Sequence, residues 1–139
     1  MTQFELVDGP TASAGKHVLV VDDDPRIRRT LRWALEDDGL EVETAADGRR
    51  ALERASARRP ALVVLDLTLP ILDGYDVAIG LRTVYGTSVP ILAISADGDA
   101  AAKARAAGAY GYLRKPFDLD DLIAAVHRGL AGLTESTTS

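Results

Sequence analysis

The stretch His17-Val-Leu-Val-Val21-Asp22-Asp23-Asp24-Pro25 decides how the rest of the chain is read. A short run rich in Val and Leu, without polar alternation, suits a strand buried on both faces in the interior of a parallel sheet. The acids then stand at the carboxyl end of that strand. Pro25 suits the first turn of a helix, where its missing N–H would have no partner in any case. A second run, Ala61-Leu-Val-Val-Leu65, leads into Asp66 in the same way. In open α/β sheets this edge is where ligands bind. Three acids gathered there would repel one another and raise one another's pKa unless a cation sat among them, so a hard divalent metal is expected at Asp22, Asp23 and Asp66.

Outward from these runs, strand and helix patterns alternate. Ile27, Leu31, Ala34 and Leu35 form the apolar stripe of a first helix, which Gly39 stops. Residues 41–45 alternate polar and apolar, as an edge or half-exposed strand does. Gly48 opens a helix to about Ala57. After the third strand, 61–65, comes the loop from Asp66 to Gly74 and a helix with Val77, Leu81 and Val84 on its apolar face. A fourth strand spans 89–94, and an Ala-rich helix runs from about Asp99 to Ala107. Gly108 then leads to a fifth strand, 110–113, closed by Pro116. Asp24 is placed to cap the first helix, and Asp118 a last one carrying Leu119, Leu122, Ile123, Val126 and Leu130. Five strand-helix units of this kind make an α/β fold, a parallel sheet with helices on both faces joined by right-handed crossovers.

With 139 residues, one domain is the expectation, between polar tails at 1–16 and 131–139 that look disordered. The apolar runs are too short to span a bilayer, and the N-terminus has no basic and apolar leader, so a cytoplasmic protein is expected. Without cysteine there is no disulfide or thiolate chemistry. A net charge of −5 argues against direct nucleic-acid binding, which needs a concentrated basic face. Arg26, Arg28, Arg29 and Arg32 read as a solvated helix face, and His17 and His127 as ordinary surface or packing residues.

Five separated motifs carry a resemblance to a known family: Val-Val-Asp22-Asp23-Asp24-Pro25; Leu65-Asp66; Leu69-Pro70 with Asp73-Gly74; Ser95-Ala96; and Tyr112-Leu-Arg-Lys115-Pro116. In this order they resemble the receiver domain of two-component response regulators over residues 17–130. The resemblance implies a flavodoxin-like, doubly wound sheet of strand order 2-1-3-4-5, which would make the first and third strands neighbours and bring the three acids together.

The same resemblance implies a set of roles. Asp66 would be the phosphoacceptor, taking a phosphoryl group from the phosphohistidine of a sensor histidine kinase or a histidine phosphotransfer protein. Mg²⁺, with Mn²⁺ as a substitute, would be bound directly by Asp23 and Asp66 and by the Thr68 carbonyl, and through water by Asp22. The Thr68 hydroxyl lies at a position that tunes the lifetime of the acyl phosphate in the family. Lys115 would offset charge beside Asp66, ahead of a cis bond to Pro116. Ser95 would bond the phosphoryl group and Tyr112 fill the vacated space, while Ala96 leaves the site open. The outcome would be altered partner binding at the face made by helix four, strand five and helix five, in a monomer or weak dimer. The chemistry would be self-directed transfer and dephosphorylation rather than turnover of a substrate.

Two departures qualify this. The segment from Ser95 to Lys115 is shorter than is usual in the family, so helix four should be short or displaced. Tyr110-Gly111 stands where subfamilies with winged-helix effectors carry acidic residues, which weighs against activation dimers through that face. No effector follows, so a stand-alone regulator or a piece of a longer one is expected. One rival is an interaction module of the same shape that is never phosphorylated; the complete set of site residues weighs against it. The other is a Mg²⁺-dependent aspartyl-phosphate hydrolase of the haloacid dehalogenase type. That family puts its nucleophile after the first strand and a second Asp two residues later, where this chain has Thr68 and no cap domain.

Overall fold

Hydrogen bonding joins five parallel strands in the order β2-β1-β3-β4-β5 in the computed structural model, which describes residues 16–69 and 74–132. The strands are β1 (His17–Val21), β2 (Glu41–Ala45), β3 (Leu62–Asp66), β4 (Ile91–Ser95) and β5 (Gly111–Arg114). Between and after them run α1 (Pro25–Asp37), α2 (Gly48–Ala57), α3 (Gly74–Tyr85), α4 (Ala100–Ala107) and α5 (Leu119–Leu130). Parallel neighbours require crossovers, and each helix supplies one or closes the last. The expected flavodoxin-like order is the observed one. Most of the tails, and Pro70 and Asp73 of the quoted motifs, lie outside the described residues.

Every residue of β1, β3 and β4 is buried, as runs without alternation require. Successive side chains divide between two cores. Val18, Val20, Leu62, Val64, Leu92 and Ile94 face α1 and α5. Leu19, Val21, Val63, Leu65, Ile91 and Ala93 face α2, α3 and α4. The outer strands β2 and β5 are only partly covered, which fits the alternation read in β2.

Several boundaries differ from the sequence reading. β3 ends on Asp66 itself, because Asp66 pairs with Ile94 and remains in the ladder. β4 begins at Ile91 rather than Val89, since Pro90 has no N–H to give the sheet, and it extends to Ser95, the partner of Arg114. β5 is displaced by one residue. Val84, placed on the apolar stripe of α3, is 59% exposed. Tyr85, next to it, packs against the core in its stead. Asp118 occupies the N-cap of α5 with extended backbone, yet its side chain makes no capping bond; Asp120 and Asp121 in the first turn already complement the helix dipole. Asp24 does cap α1, accepting from the Arg26 N–H at 2.8 Å. Asp47, which the reading passed over, caps α2 through the Arg50 N–H at 2.8 Å.

The helix α4 has only eight residues, as the short segment implied, and its buried side chains are alanines. It ends at Gly108, whose φ of +75° favours glycine. The Arg82 guanidinium lies where a Cβ on Gly108 would be, and donates to the Ala107 carbonyl at 3.2 Å. At the start of α3, a Cβ on Gly74 would come within 2.6 Å of the Asp66 carbonyl oxygen and the Leu67 Cα, so glycine lets the helix abut the end of β3.

Candidate functional site

At the carboxyl edge of the sheet, β1 delivers Asp22 and Asp23, and its neighbour β3 delivers Asp66. Each offers an oxygen within 4.8 Å of the others. Asp22 and Asp66 are buried and Asp23 is exposed, so one acid opens the cluster to solvent.

Backbone geometry fixes these acids one by one. The Asp22 N–H donates to the Ala45 carbonyl at 3.1 Å, and Asp22 Oδ1 accepts from the Asp24 N–H at 2.9 Å. Arg28, one turn into α1, reaches back and donates to the Asp22 carbonyl at 2.8 Å. It therefore braces the acidic loop, a role that its assignment to a solvated face missed; only its position one helical turn past the acids hinted at it. Asp66 Oδ1 accepts two bonds from Thr68, one from its N–H and one from its hydroxyl, each at 3.0 Å.

Lys115, forty-nine residues further along the chain, supplies the cation. Its Nζ lies 2.7 Å from Asp22 Oδ2 and 3.2 Å from Asp66 Oδ2. Thus it bridges two acids and lies nearer to Asp22 than to Asp66, the expected neighbour. Burial alone would depress the Lys115 ammonium, but its pairing with Asp22 and the charge of Asp66 outweigh this and hold its pKa above the ordinary lysine value. Asp22 is pushed above the ordinary carboxylate range, chiefly by burial, with the charge of Asp66 adding to it. For Asp22, then, desolvation dominates over the mutual repulsion that the sequence reading put first.

These residues fit a hard divalent cation. All three donors are carboxylate oxygens, the ligand type that Mg²⁺ and Mn²⁺ prefer. Asp22 Oδ2 is buried and, despite its ion pair, has no well-aligned hydrogen bond.

Of the other expected residues, Ser95, Ala96 and Lys115 share this edge, whereas Tyr112 lies inside β5, opposite Ala93 of β4. Ser95, 1% exposed, ends β4 one residue past the register partner of Asp66. Its Oγ accepts from the Asp97 N–H at 3.0 Å, and its carbonyl accepts from the Lys115 N–H at 2.9 Å. Ala96 is exposed. Tyr112 on β5 is 43% exposed and stands away from the core. The peptide between Lys115 and Pro116 is cis. A groove of about 650 Å³ opens beside the acids, lined by Asp24, Ile27, Ala96, Lys115, Phe117 and Leu119.

An acid cluster at the edge of a 2-1-3-4-5 sheet, its two buried members bridged by one lysine and its third open to solvent, can hold a cation and accept an electrophile. The "Response regulator receiver domain" family model matches residues 18–127. This chain belongs to the response regulator receiver family. The receiver is 44% identical over 109 residues to "Response regulator MprA" of Mycolicibacterium vanbaalenii, covering 77% of this chain and 47% of that protein. With "Transcriptional regulatory protein PrrA" of Mycobacterium tuberculosis the identity is 40% over 131 residues, covering 93% and 56%. It therefore spans about half the length of the curated relatives it matches. Among solved structures, Vibrio cholerae chemotaxis protein CheY4 superposes with a TM-score of 0.76 at 35% identity, covering 83% of this chain and 98% of that one. Among the described residues, no helix is long and apolar enough to cross a membrane.

Proposed function

We propose that this receiver, acting in the cytoplasm, accepts a phosphoryl group on Asp66 from the phosphohistidine of a sensor histidine kinase or histidine phosphotransfer protein, and answers by changing which protein it binds. The observation that carries the reading is the convergence on one sheet edge of Asp22, Asp23 and Asp66 with the Lys115 ammonium, 3.2 Å from Asp66.

In the transfer, an Asp66 carboxylate oxygen attacks phosphorus, the donor's P–N bond breaks, and its electron pair leaves with the imidazole. The product is an acyl phosphate. Such a reaction depends on alignment and charge neutralisation more than on covalent activation. The two Thr68 bonds hold the Asp66 carboxylate in one orientation before the donor arrives. Lys115 offsets negative charge on the incoming oxygens as a compact cation. Asp23 and Asp66, with the Thr68 carbonyl, would bind Mg²⁺ directly and Asp22 through water; when bound, the ion neutralises and aligns the phosphoryl oxygens. Exposed Ala96 and the adjoining groove leave the donor's ring a way in.

The signal then passes through Ser95 and Tyr112. The Ser95 hydroxyl turns to bond the phosphoryl group, and the half-exposed Tyr112 ring moves into the space it leaves. The face of α4, β5 and α5 is the output surface, and its partner is a protein rather than a nucleic acid. The chemistry is self-directed, so the chain acts as a signal carrier.

The test is direct. Incubated with Mg²⁺ and acetyl phosphate or phosphoramidate, the protein should gain the mass of one phosphoryl group, labile to hydroxylamine and absent in Asp66→Ala. An unmodified wild-type protein under both donors would refute the assignment.

A further inference from the structure

The loop between β4 and α4 holds an ion pair that the transfer chemistry does not use. Asp97, whose N–H donates to Ser95 Oγ at 3.0 Å, pairs through its carboxylate with Lys103 on α4. Lys103 is also 3.8 Å from Asp99, the N-cap residue of the same helix. A single lysine thus ties both acids of the loop to the first turns of α4.

The surroundings give this tie more weight than a surface ion pair usually has. The helix α4 presents only Ala100, Ala104 and Ala107 to the core, and alanines bury little apolar area. A shallow surface groove of about 250 Å³, lined by Leu67, Tyr75, Lys103 and Ala106, runs beside it. At its C-terminal end it is fastened by the Arg82 bond to the Ala107 carbonyl. At its N-terminal end Ala100 is buried and Lys103 ties the helix to the preceding loop.

We propose that the Lys103–Asp97 pair is a latch that holds the β4–α4 loop, and through it Ser95, in the resting arrangement, so that Lys103 is a positioning residue setting how readily the receiver becomes phosphorylated. The argument rests on the phosphoacceptor reading of Asp66. Ser95 Oγ is held by the Asp97 amide, and Asp97 is held by Lys103. For Ser95 Oγ to move toward a phosphoryl group and vacate its place, rather than only rotate its proton, the Asp97 N–H must give up this bond. A state that accepts the phosphoryl group only when the loop is released is phosphorylated at a rate proportional to the released fraction. Half-exposed ion pairs contribute little each, so breaking this one should raise that fraction about two- to fivefold.

The experiment compares initial rates of phosphorylation by phosphoramidate with Mg²⁺ in excess for the wild type, Lys103→Met and Lys103→Arg, at low and at high salt. Removing a positive charge near the site would by itself slow reaction with an anionic donor, so acceleration singles out the latch. Lys103→Met is expected to react about two- to fivefold faster than wild type at low salt, and the gap should close at high salt, where exposed pairs are screened. Lys103→Arg should keep the wild-type rate. A Lys103→Met rate equal to or below wild type at low salt, or an acceleration that salt does not remove, overturns the latch. Should Lys103→Met fail to fold, Lys103→Gln, similar in polarity, carries the same comparison. A wild-type protein that forms no adduct removes the phosphoacceptor reading; an adduct with unchanged variant rates removes only the latch.

Discussion

Asp22 is the residue at which the proposed metal binding and the stability of the fold would oppose each other. It is fully buried, and its carboxyl is held above the ordinary value of 3.8 mainly by that burial. A carboxyl that binds its proton more tightly folded than unfolded weakens the fold wherever it must be ionised. This penalty is complete above the raised value, falls as the pH drops through it, and is gone below the ordinary value. Because Lys115 keeps Asp66 as a partner, Asp22→Asn should therefore stabilise the metal-free protein at neutral pH, read as a higher urea midpoint. The same variant should bind Mg²⁺ more weakly in a direct titration. Sequence could not assign this burial to Asp22 rather than Asp23, because neighbouring residues after a strand point to different sides and only the packed structure decides which is covered. Lys115 was legible only through the family resemblance, since nothing in local periodicity indicates a contact across forty-nine residues. Arg28 was misread for the same reason: a helix position predicts the side of the helix, not the reach of a long side chain.

The elements themselves were largely legible, because burial on both faces, on one face, or on a stripe leaves a period in the sequence. The runs of β1 and β3 gave their places to within a residue, β4 was set back two residues at its start by Pro90, and α4 came out short. Val84 shows where the period failed: with Tyr85 beside it, two apolar residues competed for one inward position, and the larger took it. Caps were harder to read, since an acid before a helix can cap it or simply face water. Asp47 and Asp118 provide a paired test of that difference. Asp47→Ala removes a bonded cap and should cost about 1 kcal/mol. Asp118→Ala removes an unbonded one and should change stability by less than about 0.5 kcal/mol, both read from urea midpoints.

For the molecule as a whole, the two cores meet only through the sheet, and the candidate site lies at the edge where the strands end. A ligand that binds the folded chain and not the unfolded one stabilises all of it. Mg²⁺ added to a hundred times its dissociation constant should raise the unfolding free energy by about 2.7 kcal/mol, with full reversal by chelator. A thermal melt unaffected by Mg²⁺ would mean that the acids do not hold the ion. The strand order was available beforehand only by resemblance, because periodicity identifies strands without saying which lie side by side.

The strand β3, which carries Asp66, lies between two bonded neighbours and beneath helices on both faces, whereas β5, which carries Tyr112, has a strand on one side alone. The carboxylate is therefore set in the interior of the sheet and the tyrosine on one of its two edge strands. On the proposed reading, substitutions along the outer strand and its helices would change what the domain speaks to without reaching the centre, where it is addressed.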